Sequence, residues 1–144
     1  MKHNEIIKLT PGLEIHYCLD ANETGQKFTM FKFIVEPNVK VPVAHYHDTF
    51  DETFYVLRGK LIVTLDGKTM ELNEGEHCFI PKGIVHGFVN KGTETAEVLC
   101  HAVPGIFTAD YFRELSEVFN AGGPPDMVKI KDIMLSYGLI PVVG

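Results

Sequence analysis

Two histidines one residue apart, in His45-Tyr46-His47, have a spacing that could chelate a metal ion. On a β-strand, residues two apart point to the same face, so the two imidazoles would lie side by side. Glu52 follows five residues later at the start of an apolar run, and His86 begins another such run. If the strands that carry these residues are neighbours, all four side chains can converge on one point.

The chemistry that these side chains support is that of a divalent transition metal. Three neutral imidazoles and one carboxylate suit Fe, Mn, Ni, Co, Cu or Zn, whereas an oxygen-only site for Ca or Mg would not use three histidines. A six-coordinate ion would keep about two positions open for water, substrate or O₂, which is typical of catalysis rather than of structure. The remaining histidines are interpreted as structural or exposed: His3, His16, His77 and His101.

Short β-strands are predicted to carry the candidate ligands. Apolar, β-rich runs separated by Gly and Pro lie at 28–35, 53–57, 60–65, 68–72, 76–80, 85–90 and 96–103. The dipeptide Asp66-Gly67 between two of them favours a two-residue hairpin turn, because both positions tolerate positive φ. Strands at this spacing, with no helical period between them, predict an all-β barrel or sandwich.

The pattern becomes helical towards the C-terminus. Apolar side chains recur at helical spacing over 108–119, with Thr108 as the expected N-cap, and a second short helix is expected after Asp126. We therefore predict a β-barrel domain over 1–104 and a helical extension over 105–144. The extension is too small for an independent domain and is expected to pack on the barrel or on a neighbouring subunit.

Composition excludes several classes of protein. The 144 residues carry a net charge of −6 and only two Arg, and they lack the basic stripe that a nucleic-acid surface needs. No apolar run reaches the roughly 20 residues that span a bilayer, and a secretory signal is not expected. Three widely spaced cysteines fit neither a disulfide framework nor a CxxC zinc site. We therefore expect a cytoplasmic protein without nucleic-acid or membrane partners.

The two histidine segments together resemble the two motifs of the cupin superfamily. The first motif is His-x-His, three or four residues, Glu, six residues, Gly, and it is matched by His45, His47, Glu52 and Gly59. The second motif is matched at every position, by Gly75, Pro81, Gly83, His86 and Asn90. One departure is Val39, which stands where the family usually has a turn-forming Gly rather than a ligand.

This resemblance implies a double-stranded β-helix, or jelly-roll, barrel followed by the helical extension. It makes His45, His47, Glu52 and His86 the metal ligands, and the six-residue step to Gly59 favours Glu52 over its neighbour Asp51. Barrels of this type commonly pair, so the resemblance also implies a homodimer. The apolar N-terminal segment 6–19 and the helical tail would offer surface for it.

A finer similarity is to small single-domain cupins of the quercetinase type. It rests on the segments 24–28 and 52–59, on Pro104-Gly105 before an aromatic helix, and on the Gly-Gly-Pro-Pro-Asp break at 122–126. It implies a metal-dependent dioxygenase in which Glu52 alternates between ligand and general base.

Three functional hypotheses follow for the predicted site. The first is a dioxygenase-type enzyme acting on a small aromatic or dicarbonyl molecule, held in an apolar pocket that includes Phe50, Phe54 and Phe88. The second is a metal-dependent isomerase or decarboxylase, which the absence of Arg58 and Arg113 from the ligand face disfavours. The third is a non-catalytic cupin that binds a metal or a small molecule.

Overall fold

The computed structural model describes residues 5–142, which contain eleven strands and two α-helices. The first part of the chain contributes β1 (Ile6–Thr10), β2 (Leu13–Leu19), β3 (Thr29–Val35), β4 (His45–His47) and β5 (Asp51–Arg58). The middle contributes β6 (Leu61–Leu65), β7 (Lys68–Leu72), β8 (His77–Ile80), β9 (His86–Val89) and β10 (Ala96–Val103). The last part contributes α1 (Ala109–Phe119), α2 (Met127–Ser136) and β11 (Leu139–Pro141).

The strands form two antiparallel sheets that together make the predicted all-β jelly-roll barrel. One sheet has six strands in the order β1-β2-β3-β10-β5-β8, and the other has five in the order β11-β4-β9-β6-β7. Consecutive strands pair only in β1–β2, β2–β3 and β6–β7, and the other neighbours are distant in the sequence, so many loops cross between the sheets. This topology brings β4, β5 and β9, which carry the four candidate ligands, to one end of the barrel interior.

Alternation along the strands determines which side chains enter the barrel. In β5, Glu52, Phe54 and Val56 are buried while Tyr55 and Leu57 are exposed, as the period of two predicts. In β9, His86 and Phe88 are buried on the same principle. The candidate ligands therefore share their interior with a hydrophobic core that is rich in phenylalanine.

The predicted strands and the hairpin turn agree with the structure. The strands β7 and β10 have the predicted bounds, and the others differ at their ends by one or two residues. Asp66 and Gly67 have φ values of 51° and 79°, the positive values that a tight hairpin turn requires.

The N-terminal segment was not predicted as strand, yet it forms β1 and β2. Its apolar residues alternate with charged ones across the turn at Gly12, so that Ile7, Leu13 and Ile15 are buried and Glu14 points outwards. The turn interrupts this period of two, and each half is too short to stand out in the sequence alone. The segment therefore contributes one edge of the six-stranded sheet.

Both predicted helices are present, although their N-termini are capped differently. Asp126 caps α2, since its Oδ1 accepts hydrogen bonds from the backbone N–H groups of Val128 and Lys129 at 3.2 Å. Thr108 is the N-cap of α1 but makes no side-chain capping bond. The carboxylate of Asp20 lies 3.4 Å from the Ala109 backbone nitrogen and takes that place.

The C-terminal segment also supplies a strand of the barrel. β11 pairs antiparallel with β4, and Leu139 lies opposite His47. On its other side β4 pairs with β9 at a single position in the ladder, His45 opposite His86. The C-terminal extension, which was expected to pack on the barrel, thus supplies an edge strand. This strand holds β4, which carries His45 and His47, in the sheet.

Two further expectations concern cysteines and membranes. Cys18, Cys78 and Cys100 are all free thiols, in agreement with the absence of a disulfide framework in the sequence. Within residues 5–142, neither helix has the length and apolar character needed to cross a membrane.

Gly138 allows the prediction of a stability change. It joins α2 to β11 with φ 80°, and a Cβ there would lie 2.8 Å from both Oδ1 of Asp48 and Oγ1 of Thr49. We expect Gly138→Ala to lower the free energy of unfolding by about 2–4 kcal/mol, because backbone strain and overpacking add. Urea denaturation measures this change.

Gly122→Ala is the matched control, since Gly122 has φ 96° but a Cβ there would meet nothing within 4 Å. It should cost only the backbone strain, about 1–2 kcal/mol. If the two variants lost the same free energy of unfolding, a Cβ at position 138 would add no cost by crowding the loop after His47.

Candidate metal centre

The candidate ligands come from both sheets and meet inside the barrel. His45 and His47 lie on β4, and His86 lies on the neighbouring strand β9, directly opposite His45. Glu52 lies on β5 in the other sheet, where it pairs with Ala102 and Ile80. The site therefore bridges the two layers of the barrel.

The four side chains are close enough to share one ion. One ring nitrogen from each of the three histidines lies within 4.8 Å of the others. Oε1 of Glu52 lies 3.7 Å from Nε2 of His47 and 3.9 Å from Nε2 of His86. All four residues are buried.

Two of the histidines are oriented by backbone carbonyls. Nδ1 of His45 lies 2.7 Å from the carbonyl oxygen of Val43, and Nδ1 of His86 lies 3.0 Å from that of Ile84. A carbonyl oxygen can only accept, so Nδ1 carries the hydrogen in both rings and Nε2 keeps its lone pair. This arrangement is the usual one for metal-binding histidines.

His47 is held differently, by aromatic packing. Its ring stacks on Phe50 with centroids 4.1 Å apart and an interplanar angle of 20°, and Phe107 lies 5.5 Å away. Neither ring nitrogen of His47 has a hydrogen-bond partner among residues 5–142. The orientation of this ligand therefore depends on the position of Phe50.

The buried polar atoms of the cluster fit a divalent cation. Oε2 of Glu52 and both ring nitrogens of His47 are enclosed without a partner in the described part of the chain, which is costly unless something else binds them. Burial, reinforced by neighbouring His86, lowers the pKa of His45 to about 3, and burial also lowers the pKa of His86. Neutral imidazoles are the form that binds a metal.

The carboxyl group shows the complementary effect. Burial raises the pKa of Glu52 to about 8, because the anion loses its hydration inside the barrel. A cation beside the carboxylate would replace that hydration and restore the charged form. The donor set, three imidazoles and one carboxylate, is one that divalent transition metals favour.

Asp51, the neighbour of Glu52, has a structural role. It lies on the opposite face of β5, where its Oδ1 accepts a hydrogen bond from the backbone N–H of Lys82 at 2.8 Å. Three of the remaining histidines also have partners away from the cluster: His16 contacts Glu14, His77 stacks on Tyr55, and His101 packs against Phe28. His3 lies outside the described residues.

A narrow pocket leads from the cluster towards the helices. It contains about 560 Å³ of space outside the protein atoms, part of it open to solvent, and His45, Glu52 and His86 lie in its wall. The rest of the wall is almost entirely apolar, and none of the described residues that line it is Lys or Arg. This composition suits an uncharged organic molecule.

The three phenylalanines predicted for the pocket have different positions. Phe54 and Phe88 line it, and Phe33 from β3 packs against both rings. Phe50 instead packs behind His47, where it is 1% exposed.

Sequence reasoning missed the part of the pocket wall that comes from the C-terminal extension. Helix α1 contributes Tyr111 and Phe112, and α2 contributes Ile130 and Met134. The apolar spacing of these residues predicts a buried helical face, but not that the face covers the mouth of a barrel.

A model of the cupin-domain family matches residues 31–102, which is half of the chain. The protein therefore belongs to the cupin family, and both motifs that resemble that family lie within the matched region.

Relatives of known sequence include an enzyme and an uncharacterised protein. The chain is 31% identical to quercetin 2,3-dioxygenase from Bacillus subtilis over 116 residues, covering 78% of this chain but 33% of the enzyme. It is 50% identical over 87 residues to an uncharacterised protein from Aquifex aeolicus, covering 60% of this chain and 69% of that protein. The chain thus spans only about a third of the dioxygenase.

Solved structures share the fold. A predicted oxalate decarboxylase from Thermotoga maritima superposes with a TM-score of 0.63 at 23% identity, covering 71% of this chain and 92% of that chain. The protein KdgF from Halomonas sp. superposes with a TM-score of 0.61 at 19% identity, covering 69% and 86%. At these identities the likeness supports the cupin barrel and no particular reaction.

Replacement of His86 tests the proposed ligand set. We expect His86→Ala to remove most of the bound metal without unfolding the barrel, because the other ligands lie on different strands. Elemental analysis of the purified protein measures metal content, and circular dichroism follows the fold. His77→Ala, which alters an exposed ring, is the control, and wild-type metal content in His86→Ala would rule out His86 as a ligand.

Replacement of Phe50 tests whether stacking holds His47 in place. We expect Phe50→Leu to weaken metal binding about tenfold, since residues that orient a ligand commonly have effects of this size. Competition with a chromophoric chelator gives the affinity. Phe79→Leu, at an exposed ring on β8, is the control, and an unchanged affinity in Phe50→Leu would show that His47 keeps its orientation without the stack.

Proposed function

We propose that this cupin is a metal-dependent, dioxygenase-type enzyme that acts on a small, uncharged aromatic or dicarbonyl molecule. The observation that carries the proposal is the apolar pocket whose wall includes His45, Glu52 and His86, three of the four candidate ligands. The partial similarity to quercetin 2,3-dioxygenase supports the same reaction class.

The charges around the pocket support an uncharged substrate over an anionic one. Phosphates and carboxylates are usually bound by Arg or Lys, and Arg above all gives bidentate contacts. Arg113 lies on the surface, where it is paired with Glu5 and Asp110. Arg58 is exposed on β5 beside Glu97. These positions disfavour a sugar-phosphate isomerase or a decarboxylase of small dicarboxylates.

Four residues would hold the metal: His45, His47, Glu52 and His86. When bound, the metal would act as a Lewis acid towards a hydroxyl or enolate oxygen of the substrate, with O₂ as the oxidant. The metal could be Fe, Mn, Ni, Co, Cu or Zn, since each accepts this donor set.

The protein itself would bind, orient and deprotonate the substrate. Phe33, Phe54 and Phe88 form an apolar wall that packs against a flat ring and excludes water from the site. Oε2 of Glu52 is buried in the same wall without a partner in residues 5–142, and it would accept the proton of a substrate hydroxyl. Glu52 would thus serve as ligand and as general base.

The homodimer and the cytoplasmic location expected from the sequence stay predictions. Size-exclusion chromatography coupled to light scattering would test the first.

Oxygen uptake tests the proposed reaction. We expect the metal-loaded protein to consume one O₂ per molecule of a flavonol or β-dicarbonyl, measured with an oxygen electrode and by mass spectrometry of the product. Removing the metal with a chelator should reduce uptake to background, and adding it back should restore uptake.

Oxalate and sugar phosphates are the control substrates and should not react. Their turnover without O₂ would favour the decarboxylase or isomerase hypothesis instead. Binding of flavonols without any turnover would favour a non-catalytic cupin.

A further inference from the structure

We infer that the Tyr111 hydroxyl binds the substrate. It donates a hydrogen bond to a second oxygen of the substrate, which is distinct from the oxygen that would bind the metal. This inference rests on the proposed function for its ligand class. It adds a recognition element from the C-terminal extension, outside both cupin motifs.

Tyr111 is the exception in an otherwise apolar wall. Among the described residues that line the pocket, the other side chains able to form strong hydrogen bonds are His45, Glu52 and His86, which are all candidate ligands. Tyr111 is 3% exposed, so its phenol is removed from bulk water. Within residues 5–142 its hydroxyl has no hydrogen-bond partner, and it is not fully enclosed as Oε2 of Glu52 is, so a molecule in the pocket can reach it. An oxygen of a bound molecule would give this hydroxyl a hydrogen-bond partner inside the apolar pocket.

The other tyrosines near α1 are satisfied. The hydroxyl of Tyr17 donates to the carbonyl oxygen of Phe107 at 2.7 Å, and the hydroxyl of Tyr137 bonds to the carboxylate of Glu114 at the surface. The Tyr137 ring packs against Tyr111 with centroids 5.3 Å apart. Tyr111 and Tyr137 are therefore neighbours, but of the two only Tyr111 lines the pocket.

Packing holds the Tyr111 ring at a distance from the metal centre. Phe107 contacts both sites, since its ring centroid lies 5.4 Å from that of Tyr111 and 5.5 Å from that of His47. The helix that carries Tyr111 is fixed at its N-terminus by Asp20 and through Arg113 to Glu5. The hydroxyl is thus a preorganised donor within a rigid wall.

The protonation state of Tyr111 is that of a donor. Burial, with the Glu52 carboxyl nearby, raises the pKa of Tyr111 above its usual value, so the phenol keeps its hydrogen at neutral pH. The hydroxyl can therefore donate to an acceptor oxygen of the ligand at that point.

Together these features define a ligand class. The molecule is flat and largely apolar, with one hydroxyl or enolate oxygen for the metal and a second hydroxyl or carbonyl oxygen on a different part of the ring system. A molecule that lacks the second oxygen would still fit but would leave Tyr111 unpaired, which is how a buried hydroxyl discriminates between related ligands.

Two flavonols that differ in remote oxygens test this inference. Quercetin carries hydroxyl groups on the fused ring system and on the phenyl ring, whereas 3-hydroxyflavone carries only the 3-hydroxyl, the adjacent 4-carbonyl and the ring ether oxygen. We expect Tyr111→Phe to weaken quercetin binding to the cobalt-loaded protein about 2- to 10-fold, measured under anaerobic conditions by titration. Binding of 3-hydroxyflavone, cobalt content and the cobalt absorption spectrum should not change.

Tyr137→Phe is the matched control, because it removes the hydroxyl of the adjacent ring outside the pocket, and it should bind both flavonols as the wild type does. Equal quercetin affinity in Tyr111→Phe and wild type would overturn the inference. So would an equal loss for both flavonols together with an altered cobalt spectrum, or failure of the wild type to bind quercetin. If quercetin binds through Tyr111 but no O₂ is consumed, the proposed function fails while the inference stands.

Discussion

The pairing of one short strand on both its edges is the constraint on which the site depends. β4 is three residues long and carries two of the four candidate ligands. Such a strand has too few backbone hydrogen bonds to hold its own position. It is fixed by β9 on one side, which brings His86 opposite His45, and by β11 on the other. The fourth candidate ligand, Glu52, then approaches from the facing sheet.

The sequence predicted the parts of the protein in which local pattern and tertiary environment agree. The period of two in 52–57, the strand 96–103, the Asp66-Gly67 turn and the Asp126 cap all have a local physical cause and are present in the structure. The spacing of the motifs also predicted that the four candidate ligands converge. Each of them lies on a strand, and alternation along a strand shows which side chains point inwards.

The remaining features depend on contacts between distant parts of the chain, which no local pattern encodes. In the segment 6–19 a turn interrupts the alternation of apolar and polar residues, so neither half is recognisable as a strand. The segment 139–141 is too short to predict as a strand. Phe50 was expected to face a substrate, but it follows β4 in a loop, where alternation gives no direction, and it stacks on His47. Tyr111 lines the pocket because α1 docks on the barrel. The spacing of apolar residues in this helix alone indicates only that one face of the helix is buried.

The pairing of β11 with β4 also sets the order of events when the protein is made. A ribosome releases His45 and His47 early, but their strand lacks one neighbour until residues 139–141 have been synthesised. The ligand geometry therefore matures only once nearly all of the described chain is available to fold. A metal held by all four candidate ligands would then be bound only after β11 has paired with β4.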